Sequence, residues 1–116
     1  MHELSICLSL LKQVNNIAAE HNASAVDNIY LQVGPLSGVE PDLLQSVFPI
    51  ASADTVAERA KLIISSMPIR VRCRTCFAES EASINRLVCG HCGDWQTELL
   101  AGDELLLERV EMRTDH

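Results

Sequence analysis

Cys73-Arg74-Thr75-Cys76 and Cys89-Gly90-His91-Cys92 form two Cys-x-x-Cys pairs separated by twelve residues. Two thiolates three residues apart on a tight turn can both face one ion, and a second such turn completes a tetrahedron. Zn²⁺ suits this donor set: it is a d¹⁰ ion with no demand for another geometry, bound by sulfur at about 2.3 Å. The spacer is a little shorter than the roughly 15–20 residues common between such pairs, yet long enough to return as a hairpin. Four thiolates fill the coordination sphere and leave no open position for hydrolysis, so the expected role is a structural staple. A module of about 25 residues has too little apolar surface to fold alone, and metal binding supplies most of its folding free energy. The competing readings are two unrelated pairs, a thioredoxin-type dithiol, or a rubredoxin-like iron site. Neither pair sits in an evident strand-to-helix turn, and the module lacks the aromatic shell that small iron sites favour. His91, inside the second pair, is read as a solvent-facing turn residue in preference to a partner of the cluster.

A second constellation, Met1-His2-Glu3, stands at the amino terminus. A bulky second residue disfavours removal of the initiator methionine, which keeps the α-amine on Met1. One metal can then close fused chelate rings through that amine, the deprotonated amide of His2 and its imidazole. A nitrogen-rich, square-planar set of this kind selects Cu(II) or Ni(II). Three donors leave a fourth position for another group, and a partly open site can hand its ion on. Taken alone, an amino-terminal histidine is more often silent, and Glu3 is simply an acid favourable at a helix start.

The flanking chain has to position both sets. Leu4, Cys7, Leu8, Leu11, Val14 and Ala18 recur at three- and four-residue spacing, a helix from Leu4 to about Ala19, with Ile6, Leu10 and Ile17 widening its apolar stripe. Asn22 and Ser24 supply stop and turn chemistry. Ile29, Leu31 and Val33 alternate with Tyr30 and Gln32 as a half-buried strand that Gly34-Pro35 ends. Pro41 suits the first turn of a helix carrying Leu43, Leu44, Val47 and Phe48, and Pro49 is expected to kink or end it. Residues 55–60 read as a helical turn, and Leu62–Ile64 as the start of a strand that Pro68 interrupts before Ile69–Arg72. Leu99-Leu100 and Leu105–Met112, joined through Ala101-Gly102-Asp103-Glu104, read as a hairpin. The order predicts an α+β fold: a small two-helix, mostly antiparallel three-stranded sheet layer with an inserted zinc-ribbon-like module. Residues 1–71 with 98–116 are expected to form the α/β domain, and 72–97 the knuckle module.

Composition narrows the function. The net charge is −7, and the last nineteen residues hold six acids against Arg109 and Arg113. Nucleic-acid binding needs a basic face, and one Trp, one Tyr and two Phe offer few stacking platforms, so a nucleic-acid partner is disfavoured. No apolar run approaches the roughly 20 residues of a membrane span, and no basic-then-apolar leader precedes the first helix, so a cytoplasmic location is the expectation. No Ser/His/Asp set, phosphate loop or telling carboxylate pair stands out, which argues against an enzyme. Cys7, on the apolar stripe, reads as core.

Met-His-Glu-Leu at the start, VGPLSGVEPDLL, the two Cys-x-x-Cys pairs and the closing GDELLLERVEM together resemble the HypA/HybF family of hydrogenase nickel-incorporation proteins. The likeness runs nearly the whole chain in order. It implies a nickel metallochaperone: a transient Ni(II) site at His2 and Glu3 in the 1–71/98–116 domain, to which the chelate reading adds the Met1 amine, and structural Zn(II) on Cys73, Cys76, Cys89 and Cys92 in the 72–97 module. The implied partners are the nickel-binding GTPase of the maturation pathway, the [NiFe]-hydrogenase large subunit and, in some organisms, urease maturation proteins. The chain departs from the pattern at Gly90, where the family often has proline in the second knuckle, at Arg59 in place of a usual glycine, and at Pro49. The alternative class is a zinc-ribbon interaction or regulatory module with no transferable nickel.

Overall fold

The computed structural model describes residues 2–114. Two helices and six strands follow in the order α1 (His2–Glu20), β1 (Ala23–Val33), α2 (Pro41–Ser52), β2 (Lys61–Ser66), β3 (Ile69–Cys73), β4 (Glu79–Ala82), β5 (Thr97–Ala101) and β6 (Leu105–Thr114). The architecture is α+β, with the strands divided between two three-stranded sheets ordered β2-β1-β6 and β4-β3-β5. Of the described residues, those up to Leu31, Glu40–Ser65 and those from Leu106 onward form one compact unit. Gln32–Val39 and Ser66–Leu105 form the other. Among the described residues no helix is long and apolar enough to cross a membrane.

In the first unit α1 packs against α2. The buried face of α1 consists of Glu3, Cys7, Leu10, Leu11, Val14 and Ala18. This stripe is rotated from the one the periodicity suggests: Leu8 is 52% exposed and the charged Glu3 lies inside, with Leu10, from the widened margin of the stripe, fully in the core. Val26, Ile29 and Leu31 of β1, Leu44 and Phe48 of α2, Ala57 and Leu62 complete this core. Each such large apolar side chain contributes about 1.5–3 kcal/mol on burial. The helix stops where expected, with Asn22 in the left-handed region at φ 54° and its N–H bonded to Ala19 O at 3.2 Å. Strand β1 begins earlier than the sequence alternation because Val26 and Ile29 are both buried three residues apart, a slip in the two-residue period that hides the first half of the strand.

Pro41 occupies the start of α2, and Leu44 N–H to Glu40 O at 3.0 Å opens its hydrogen-bond ladder. The helix runs past Pro49 to Ser52. Pro49 lies on the exposed side with three residues after it, so the carbonyl it cannot serve, that of Gln45, belongs to an exposed residue that water can satisfy.

The second unit is built on β3, antiparallel to both neighbours: Val71 faces Ser80 of β4 and Leu99 of β5. Val33, Met67, Ile69, Val71, Cys73 and Cys89 are its buried apolar residues. The expected 99–112 hairpin is not formed. Strand β5 pairs with β3 whereas β6 joins β1, so the Ala101–Glu104 turn leads from one sheet to the other. Gly102 takes φ 121°, a conformation in which a side chain would press on Ile69 at 3.0 Å.

Candidate metal centre

Strand β3 delivers Cys73 at its last residue, and the chain then folds into a tight knuckle. Cys73 N–H donates to Ala78 O at 2.9 Å, Phe77 N–H donates to Cys73 O at 3.1 Å, and Phe77 takes φ 63°. The second knuckle repeats this pattern on Cys89: its N–H donates to Asp94 O at 2.9 Å, Gly93 N–H returns to Cys89 O at 3.0 Å, and Gly93 takes φ 77°. The fourth residue after each leading cysteine therefore has to be left-handed. Glycine does this freely at position 93, whereas Phe77 does it against the usual steric cost of about 1–2 kcal/mol.

The two turns aim backbone donors at the leading sulfurs. Thr75 and Cys76 N–H groups point at Cys73 Sγ at 3.3 and 3.4 Å, and His91 and Cys92 N–H groups point at Cys89 Sγ at 3.3 and 3.4 Å. All four sulfurs lie within 4.8 Å of one another, with Cys73–Cys92 and Cys76–Cys89 at 3.6 Å. A tetrahedral ion with sulfur at about 2.3 Å needs sulfur–sulfur edges of about 3.8 Å, so the set fits Zn²⁺. Among the described residues this is the one cluster of three or more His, Cys, Asp or Glu donors. Cys73 and Cys89 are buried and Cys76 and Cys92 exposed.

The donors also sort the thiols. The N–H groups of Cys92 and His91 bring Cys89 down to about 6, and those of Cys76 and Thr75 lower Cys73. At Cys92 the Asp94 N–H pulls downward, but the neighbouring Cys73 and Cys89 sulfurs and burial outweigh it and push the thiol up to about 12. Cys76 is raised likewise: the Ala78 N–H opposes, while Cys89, burial and Cys73 prevail. Each knuckle thus pairs one thiol that its backbone donors make more acidic with one that its sulfur neighbours make less acidic, and a bound cation displaces the protons of both.

Residues outside the ligand set hold the knuckles, and sequence spacing does not reveal them. Gly90 N–H donates to Ser80 Oγ of β4 at 2.9 Å. Proline could not form this bond, so the departure at position 90 exchanges ring rigidity for a tether to the sheet. Thr97 Oγ1 donates to Leu87 O at 2.7 Å, and Thr75 Oγ1 to Asp94 Oδ2 at 2.6 Å. The side chain of His91 is exposed, and its backbone supplies a donor to Cys89.

At the other candidate site, Met1 lies outside the described residues. His2 is exposed at the first position of α1. Glu3 points inward, 6% exposed, and its Oε2 accepts the Glu40 N–H at 3.3 Å. That Glu40 donor, then Glu3's own backbone N–H and the charge of His2, outweigh desolvation and hold the carboxyl below the usual glutamate range. Cys7 is fully buried and burial pushes its thiol up, so it is a core residue.

Residues 1–112 match the family model described as hydrogenase/urease nickel incorporation, metallochaperone, hypA. The hydrogenase maturation factor HypA of Nitrosospira multiformis is 44% identical over 114 residues, covering 98% of this chain and 99% of that protein. The corresponding protein of Aquifex aeolicus is 37% identical over 115 residues, covering 99% and 100%. The solution structure of the Ni metallochaperone HypA from Helicobacter pylori superimposes with a TM-score of 0.74 at 22% identity, over 97% of this chain and 98% of that one. A second HypA solution structure gives 0.77 at 23%, over 99% and 98%.

Proposed function

The chain belongs to the HypA family of hydrogenase and urease nickel-incorporation metallochaperones, and from that membership we propose that it carries Ni²⁺ at its amino terminus and a structural Zn²⁺ on Cys73, Cys76, Cys89 and Cys92. It is a maturation factor and not an enzyme. The observation that carries the nickel reading is the exposed His2 at the first helical position, beside a Glu3 that is buried and bonded to Glu40.

The first amides of a helix have no intrahelical acceptor, so those of His2 and Glu3 can join a chelate without breaking a helical bond. Ni²⁺, as cargo, is taken by the Met1 amine, the His2 amide and the His2 imidazole. Because the Glu3 carboxylate is committed to Glu40, that residue serves the site through its backbone and by anchoring the turn. The positive end of the helix dipole opposes a cation here, and loss of amide protons offsets it. The zinc, closed in by four sulfurs, supplies a fixed junction between two knuckles and no reactive position. The reading assigns the nickel-binding GTPase and the hydrogenase large subunit as partners, with urease maturation proteins in some organisms, and the cytoplasm as the location.

Metal analysis after equilibrium dialysis against Ni²⁺ tests it. The wild type should hold nickel and zinc in equal amounts, and His2→Ala should keep the zinc and lose the nickel. Wild-type nickel content in His2→Ala would sink the proposal.

A further inference from the structure

The two knuckles share one backbone geometry but not one support. Cys73 is the last residue of β3, so the first knuckle grows directly out of a paired strand. Cys89 and Cys92 lie between β4 and β5 in chain without regular structure. Something must hold the second pair of sulfurs at a fixed separation from the first.

We infer that Asp94 is the positioning residue that does so, bracing the second knuckle against the first through Thr75. Its Oδ2 accepts the Thr75 hydroxyl at 2.6 Å, and its Oδ1 accepts the Gln96 N–H at 3.0 Å. Its own carbonyl accepts the Cys89 N–H at 2.9 Å, while Arg74 N–H reaches Gln96 O at 2.9 Å. One residue is therefore bonded to the middle of the first knuckle, to the start of the second and to the exit towards β5. The brace is one-sided. In the matching positions of the opposite turn stand Ala78, which has no polar side chain, and His91, which is exposed. A short hydrogen bond to a carboxylate is stronger than a neutral one, and here it closes a small ring around the sulfurs. Such outer partners orient the groups that bind the metal and commonly govern its retention.

This inference rests on the zinc reading of the four-cysteine centre. Its test is the rate at which zinc passes from the full-length, zinc-loaded chain to a chromogenic chelator, with cobalt-substituted spectra recorded on the same variants. Thr75→Val should speed release about fivefold to tenfold, as loss of one partly exposed, charge-assisted hydrogen bond implies, and Asp94→Ala by at least as much, since it also frees the Gln96 N–H. The double variant should be no faster than Asp94→Ala alone. Asp94→Asn should retain most of the wild-type rate, because an amide oxygen can accept from Gln96 while its nitrogen donates to Thr75. The cobalt ligand-field bands should shift in Asp94→Ala and return in Asp94→Asn, a signature that general destabilisation does not produce. Wild-type release rates and unchanged cobalt bands in Thr75→Val, which leaves Asp94 in place and tolerates no ambiguity over folding, would overturn the brace. A wild-type chain that binds no zinc would instead overturn the reading of the centre itself.

Discussion

Glu3 Oε2 accepts the backbone N–H of Glu40 at 3.3 Å, joining the first turn of α1 to the residue that opens α2. A buried acid at the positive ends of two helices is favourable only while ionised. Its carboxyl is held below the ordinary 4.5 chiefly by the Glu40 N–H. The stabilisation is thus fully present above about pH 4.5 and is lost as the pH falls through the lowered folded value. Glu3→Gln should melt below the wild type at pH 7, and the two should converge on acidification. Equal melting temperatures at pH 7 would contradict the anchoring role.

Removing zinc should affect the second unit selectively. The single tryptophan, Trp95, lies three residues beyond Cys92 and is 75% exposed, a local reporter of the second knuckle. Chelation should change its emission while the helical circular dichroism, which arises from α1 and α2, stays nearly constant. Loss of the helical signal in step with zinc would show that the helices depend on the metal.

The five cysteines should divide four to one. In the zinc-loaded protein none should react rapidly with a thiol reagent. After chelation, Cys73, Cys76, Cys89 and Cys92 should react, and Cys7, fully buried with its thiol raised by desolvation, should wait for global unfolding. Mass spectrometry of the labelled chain counts them.

A side chain at Gly34 has no room: a Cβ there would lie 2.2 Å from the Gly102 carbonyl oxygen, inside the turn where Gly34 N–H bonds Glu104 O at 2.7 Å. Gly34→Ala should destabilise the second unit by about 1–3 kcal/mol or more, since backbone must move. Gly38→Ala, with open space around it but φ 77°, should cost about 1–2 kcal/mol. Denaturation followed at Trp95 compares them.

Phe77 spends conformational energy that Gly93 does not, and it is 74% exposed. Phe77→Gly should therefore retain zinc and be no less stable than the wild type, with the relief of left-handed strain offsetting the added freedom of the unfolded chain. A clear loss of zinc retention would mean that the ring supports the knuckle.

Much of this was legible from residue types. Alternation exposed the second half of β1, Pro41 marked the start of α2, and the cysteine spacing located the four-sulfur cluster before any coordinates did. What escaped has a common physical origin. Glu3 looks like a surface acid because its partner is a backbone N–H thirty-seven residues away. Asp94–Thr75 and Gly90–Ser80 join residues nineteen and ten apart with no periodic trace. The 99–112 segment has a hairpin's pattern, but the pattern does not say that β5 pairs with β3 and β6 with β1. Leu8 fits the helical stripe by spacing yet lies outward, because the buried face is centred on Cys7 and Val14.

On the proposed function, nickel is held through the amino terminus at His2, independently of the zinc centre. The most direct measurement is a calorimetric Ni²⁺ titration of the zinc-loaded chain beside the same chain with a four-residue Gly-Gly-Ser-Gly extension ahead of Met1, which carries the α-amine too far from His2 for a fused chelate while leaving every native residue in place. The wild type should bind nickel stoichiometrically and the extended chain should not, with zinc content equal in both. Unchanged nickel affinity in the extended chain would contradict it.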